Sequence, residues 1–98
     1  MTNDIRVVAF LQAKPDAKQA VEAAVLACAS ASRGEKGCLM YAGHWDQGDT
    51  NRLVFVEHWT SKAALDEHMT TPHFHAFVAS IGDLLVSAPE IITLHEIR

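Results

Sequence analysis

Several kinds of residue are scarce in this 98-residue chain, and each scarcity excludes something. There are only two cysteines, Cys28 and Cys38, ten positions apart, and they fit neither a zinc-site nor a redox-motif spacing. Both are expected to be small buried thiols. Lys and Arg total eight and are scattered singly, against twelve Asp and Glu, for a net charge of −4. That balance leaves no basic patch for nucleic acid or an anionic membrane, so neither is an expected partner. No apolar run approaches the roughly 20 residues of a membrane span. Met1-Thr2-Asn3-Asp4 has no positive charge, and Ile5 to Ala13 is too short and too polar for a secretory core segment, so the expected location is cytoplasmic. Phosphate loops, dinucleotide fingerprints and nucleophile motifs are missing too.

What is present is globular: 49% hydrophobic and 20% charged residues in a length that makes one domain, residues 1–98. Ile5 to Ala13 predicts a strand, broken by Lys14-Pro15-Asp16. From Asp16 to about Arg33 the residues Ala17, Ala20, Val21, Ala24, Val25, Cys28 and Ala31 recur at helical spacing, and Gly34 or Gly37 supplies a stop. Cys38–Asp46 and Arg52–Thr60 predict two strands joined by the polar link Gln47 to Asn51, an antiparallel hairpin. Ser61 caps a short helix, Lys62–Met69. Thr71-Pro72 starts another, with Phe74, Phe77, Val78 and Ile81 on its apolar face and Gly82 at its end. Leu84–Val86 and Ile91–Ile97 predict a last strand interrupted at Ala88-Pro89. The order βαββαβ is an α+β, ferredoxin-like arrangement.

The strand faces carry a further inference. Strand one sets Ile5, Val7 and Leu11 against Val8 and Phe10. Strand two sets Leu39, Tyr41 and Trp45 against Cys38, Met40 and Ala42. Strand three sets Leu53, Phe55, Glu57 and Trp59 against Val54, Val56 and His58. A half-solvated sheet would alternate apolar with polar. Helices in this order cover one face only, so the second apolar face is expected to meet a second copy of the chain.

Candidate chemistry falls on a few residues. The six histidines include His68, His73 and His75 close together, which points to a metal cluster or to an acid–base group. Pro72 separates His68 from the other two, and His73 and His75 diverge on a helix, so no metal is expected and His68 becomes the candidate proton-handling residue. Glu57, in an otherwise apolar strand, is either a base or ligand acceptor, or a structural group, in an ion pair with a residue such as Arg6 or Lys62 or bonded to backbone at the sheet edge. Trp59, Tyr41, Phe74 and Phe77 are either cavity walls or plain core.

Four fragments in order resemble a known family: Gly37-Cys38-Leu39-Met40-Tyr41, Val56-Glu57-His58-Trp59-Thr60-Ser61, Ala64-Leu65-Asp66-Glu67-His68 and Thr70-Thr71-Pro72-His73-Phe74. The series is similar to the antibiotic biosynthesis monooxygenase superfamily, closest to its quinol-monooxygenase-like members, over essentially the whole chain. The resemblance implies a dimeric α/β barrel and oxidation of a quinol or polyphenol by O₂ without metal, flavin or heme. It implies that His68 handles protons, Glu57 and His73 support it, and Trp59, Tyr41 and Phe74 form walls. The heme-degrading branch has an Asn on strand one, a Trp on the short helix and a His on the next. This chain has none of these, carrying His68 and Val78 at the helix positions, so heme is not expected. A non-redox isomerase or lyase on the same scaffold, or a non-catalytic dimeric binding module, are the alternative readings. The lack of clustered Arg or Lys weighs against phosphorylated substrates.

Overall fold

The computed structural model describes residues 3–98. In chain order it contains β1 (Ile5–Gln12), α1 (Lys18–Ser32), β2 (Cys38–Trp45), β3 (Arg52–Trp59), α2 (Lys62–His68), α3 (Pro72–Ile81), a 3-10 turn (Gly82–Leu84) and β4 (Glu90–Leu94). The strands form one antiparallel sheet in the order β2-β3-β1-β4. This is the ferredoxin-like α+β arrangement expected from the element order. Among the described residues no helix is long and apolar enough to cross a membrane.

Local chemistry explains the boundaries. α1 begins at Lys18 and not at Asp16, because Lys14-Pro15-Asp16 close a turn in which the Ala17 amide donates to the Lys14 carbonyl at 3.0 Å. α2 starts where the Ser61 hydroxyl accepts from the Ala64 amide at 3.1 Å. α3 starts where the Thr71 hydroxyl accepts from the Phe74 amide at 3.2 Å, with Pro72 in the first turn, where no amide is required.

The end of the chain departs from expectation. Leu84 belongs to the 3-10 turn, Leu85 makes a single bridge to Ala13, and β4 stops at Leu94. Pairing with β1 runs from Arg6↔Leu94 to Phe10↔Glu90, then slips by two residues before Ala13↔Leu85. The slip spans Ala88-Pro89, and Pro89 has no amide hydrogen to give to a ladder.

The helices cover one face of the sheet. Ile5, Val7, Ala9 and Leu11 of β1 and Leu53, Phe55, Glu57 and Trp59 of β3 are buried there against Val21, Val25 and Cys28 of α1, Leu65 of α2, and Phe77 and Ile81 of α3. Strand two does not keep simple alternation. Cys38 lies opposite Trp59 and Met40 opposite His58, so Leu39 is the extra residue of a bulge. The bulge turns Leu39 out to 56% exposure and brings Cys38 against the core. Cys38 is therefore only half-buried, while Cys28 is fully buried as expected.

The opposite face has no helix. Val8, Phe10, Val54, Val56 and Ala42 are half-buried there, and Met40, Ile92 and Leu94 are exposed. Its centre is apolar as the strand patterns predicted, with Arg6, Gln12, His44, Arg52 and His58 toward its ends.

Candidate active site

Glu57 lies at the centre of the sheet, opposite Val7 on β1 and Tyr41 on β2. Period-two alternation on β3 points it to the helix side with Phe55 and Trp59, and only 6% of it is exposed. The ion-pair reading fails on geometry. Arg6 pairs with Glu96 at 3.2 Å and Lys62 with Asp66 at 3.1 Å, and among the described residues no cation pairs with Glu57. Its partner is the indole of Trp59, whose Nε1–H donates to Oε1 at 2.9 Å. One hydrogen bond does not replace water around a buried carboxylate. Burial therefore pushes the Glu57 carboxyl up from 4.5 to about 7, the indole bond opposes this, and the charge of Glu35 adds to it.

Glu57 opens onto a cavity of about 170 Å³ between the sheet and α3. Tyr41, Phe55, Phe74, Phe77 and Val78 form its walls, and Leu85, Pro89 and Ile91 line it on the β4 side. Glu57 is the one carboxylate in that lining. The Tyr41 hydroxyl lies 3.5 Å from Cys28 Sγ, and burial raises it above the ordinary phenol range, so it stays protonated. A larger hollow of about 580 Å³ lies between α2 and the end of β4, lined by Lys62, Asp66, Met69 and Leu94 among others. It contains none of the six residues expected to form the site.

Those six divide into three groups. Glu57, Tyr41 and Phe74 line the cavity. Trp59 and His68 do not: both are buried behind it, with ring centroids 4.6 Å apart. His68 also packs against Tyr41 at 5.3 Å and Phe74 at 5.1 Å, so it braces the cavity wall without reaching the cavity. His73 lines a separate shallow groove with Cys28 and Ala76.

His68 and His73 instead share a residue that sequence reasoning missed. Glu35 Oε2 lies 2.7 Å from His68 Nδ1 and 2.7 Å from His73 Nε2. Pro72 does separate the histidines onto two helices, but the Met69–Thr71 link folds tightly and brings them together. The Thr71 hydroxyl and amide both donate to the His68 carbonyl, at 2.7 and 3.1 Å. Gly37 allows the α1–β2 loop to lie against α2, since a Cβ there would collide with Ala64 and Thr60. That approach delivers Glu35. Its only sequence signal is an acidic residue in a Gly-flanked link, which any solvated loop shares.

Residues 4–80 match the antibiotic biosynthesis monooxygenase family. The chain belongs to that family. Relatives include a protein of Synechocystis sp. whose name assigns no function, 39% identical over 87 residues, 89% of this chain and 59% of that one. The chain thus spans just under three-fifths of that relative's length. Rv0793 of Mycobacterium tuberculosis, named as a candidate monooxygenase, is 35% identical over 94 residues, 96% of this chain and 91% of that one. The solved structure of Rv0793 superposes with a TM-score of 0.92 at 30% identity, covering 97% and 96% of the two chains. Family membership supports a monooxygenase-type function at that coarse level.

The environment of Glu57 predicts how this family member responds to pH. Its carboxyl titrates near 4.5 when unfolded and near 7 when folded, a difference of about 3 kcal/mol between protonation states. Folding therefore favours the protonated acid. The full contribution is present below about 4.5 and is lost as pH rises through about 7. Glu57→Gln keeps an acceptor for Trp59 and removes the charge. Urea unfolding should show this variant gaining about 1–3 kcal/mol over the wild type between pH 5 and pH 8. An equal difference at both pH values would place Glu57 in a solvated or cation-paired setting.

Proposed function

We propose that the protein is a cofactor-independent monooxygenase that oxidises a one-ring quinol or phenol with O₂, with Glu57 as the group that takes and returns the proton. One observation carries this reading: a single buried carboxylate, unpaired with any cation among the described residues, faces an otherwise apolar cavity. The cavity's size suits one aromatic ring, since a pocket of about 150 Å³ holds benzene. Its aromatic walls suit a flat ring, and its mostly apolar lining strengthens a hydrogen bond from a phenol to Glu57.

The chemistry needs little from the protein. The Glu57 carboxylate takes the phenolic proton, and the phenolate gives one electron to O₂. The aryloxyl radical and superoxide then combine at a ring carbon to form the C–O bond of a peroxide. Protonated Glu57 returns its proton to the outer peroxide oxygen. Loss of the ring C–H proton breaks the O–O bond, and the departing oxygen leaves as water. Adding oxygen to the ring takes two electrons and passing from diol to dione takes two more, so the substrate itself reduces O₂ fully. The protein supplies a base, orientation and exclusion of solvent.

The other predicted residues support that group. Trp59 holds the Glu57 carboxylate through its indole, and His68 packs against the Trp59 ring, so both are positioning residues in this reading. Tyr41 and Phe74 form walls, and His73 joins His68 on Glu35. An isomerase of phosphorylated carbonyl compounds would need a cation near the substrate, and the cavity lining contains none.

The functional unit in this reading is a homodimer with the two open sheet faces packed together. The support is the apolar outer face, where Val8, Phe10, Val54 and Val56 lie under no helix. A second copy brings the same apolar strands to match them.

Two measurements test these readings. With a panel of hydroquinones, the wild type should consume O₂ at a rate that rises as pH passes about 7, and Glu57→Gln should lower that rate by about 100-fold or more. No uptake across the panel, or an unchanged rate in the variant, would overturn the assignment. Light scattering should give twice the 10.7 kDa chain mass, and a stable monomer would refute the dimer.

A further inference from the structure

Away from the cavity, three ligand-type side chains from three separate segments converge on one point. Glu35 comes from the α1–β2 loop, His68 from the last residue of α2 and His73 from the first turn of α3. Each offers one ligand atom, and these atoms lie within 4.8 Å of one another. We propose that Glu35, His68 and His73 form a binding site for a divalent transition-metal ion.

The donor set and the burial support this. One carboxylate oxygen and two imidazole nitrogens are the ligands that suit zinc and its neighbours, whereas magnesium and calcium favour all-oxygen shells. His68 is 2% exposed and its ring is clamped by Trp59, Tyr41 and Phe74, so one ligand is already held in place. Side-chain exposure of 15% at Glu35 and 24% at His73 leaves an entry path and room for water as a fourth ligand.

Loading the site requires side-chain movement. Each nitrogen now lies 2.7 Å from Glu35 Oε2. Ligands about 2.0–2.1 Å from a tetrahedral ion stand about 3.3 Å apart, so the carboxylate must withdraw by about 0.6 Å and the two imidazoles, whose nitrogens lie within the 4.8 Å spread of the cluster, must settle at that same spacing. Glu35 sits in a loop and is the ligand most able to move. Neutral imidazoles would pass the proton to their other ring nitrogen, His68 Nε2 and His73 Nδ1, and bind through the lone pairs left at Nδ1 and Nε2. None of the three ligands lines the cavity, so the ion would tie the loop to the α2–α3 junction without touching substrate. The binding test reads the ion alone, so its failure is distinguishable from failure of the proposed oxidation.

Isothermal titration of Zn²⁺ into tag-free full chain, alongside Glu35→Gln and His73→Ala, tests the site. Both substitutions fall on partly exposed side chains, and circular dichroism will verify their folding. The expected result is one Zn²⁺ per chain, no comparable binding of Mg²⁺, and weakening by more than about tenfold in each variant. Zn²⁺ should also raise the thermal midpoint of the wild type and not of the variants. Three results would overturn the proposal: no stoichiometric binding up to about 100 µM Zn²⁺, equal binding of Mg²⁺, or binding that both variants retain. The last would place the ion on other histidines such as His44, His58 or His95.

Discussion

A carboxylate buried without a cation is the constraint on which the rest of this structure depends. Glu57 sits mid-sheet, accepts a single hydrogen bond from Trp59 and is surrounded by aromatic and aliphatic walls. An isosteric apolar residue there would make a more stable core, because burying an ionised group costs more than one indole bond returns. Its neighbours follow from it. Trp59 needs a fixed ring plane to keep its N–H on Oε1, and His68 packed at 4.6 Å supplies that restraint. His68 in turn needs a partner for its buried Nδ1, which Glu35 provides. The chain of contacts runs from the cavity to the α1–β2 loop through side chains that each settle the orientation of the next.

The two faces of the sheet answer different demands. The helix-side face holds the core and the cavity, and α1 and α3 close it with small and aromatic residues. The open face carries Val8, Phe10, Val54 and Val56 at its centre, with polar residues such as Arg6, Arg52 and His58 only toward its ends. A second copy packed there would leave the cavity on the far side of each sheet, so assembly and binding would use opposite surfaces of the same strands.

Much of this was legible in the sequence where the signal is local. Alternation on β1 and β3 gave the faces correctly, including the company Glu57 keeps with Phe55 and Trp59. The caps Ser61 and Thr71-Pro72 started α2 and α3 where expected. The bulge at Leu39 was not legible, because one inserted residue reverses alternation without changing composition. Nor was Glu35, whose importance comes only from where Gly37 lets the loop lie. The histidines show the same limit. Spacing told that His68 and His73 occupy different helices, but only the folded Met69–Thr71 link brings their rings to 5.9 Å. Sequence pattern also favoured histidine over glutamate as the proton-handling group. In the fold it is Glu57 that faces the cavity, while His68 lies buried behind it.

The claim that matters most is that Glu57 is a carboxyl group poised near neutrality. Site-resolved carbon-13 NMR of the Glu57 side-chain carboxyl, followed from pH 4 to pH 9, measures it directly. The account predicts a single titration with a midpoint near 7. A midpoint at the ordinary carboxylate value near 4.5 would mean that water or a cation reaches Glu57, and would contradict it.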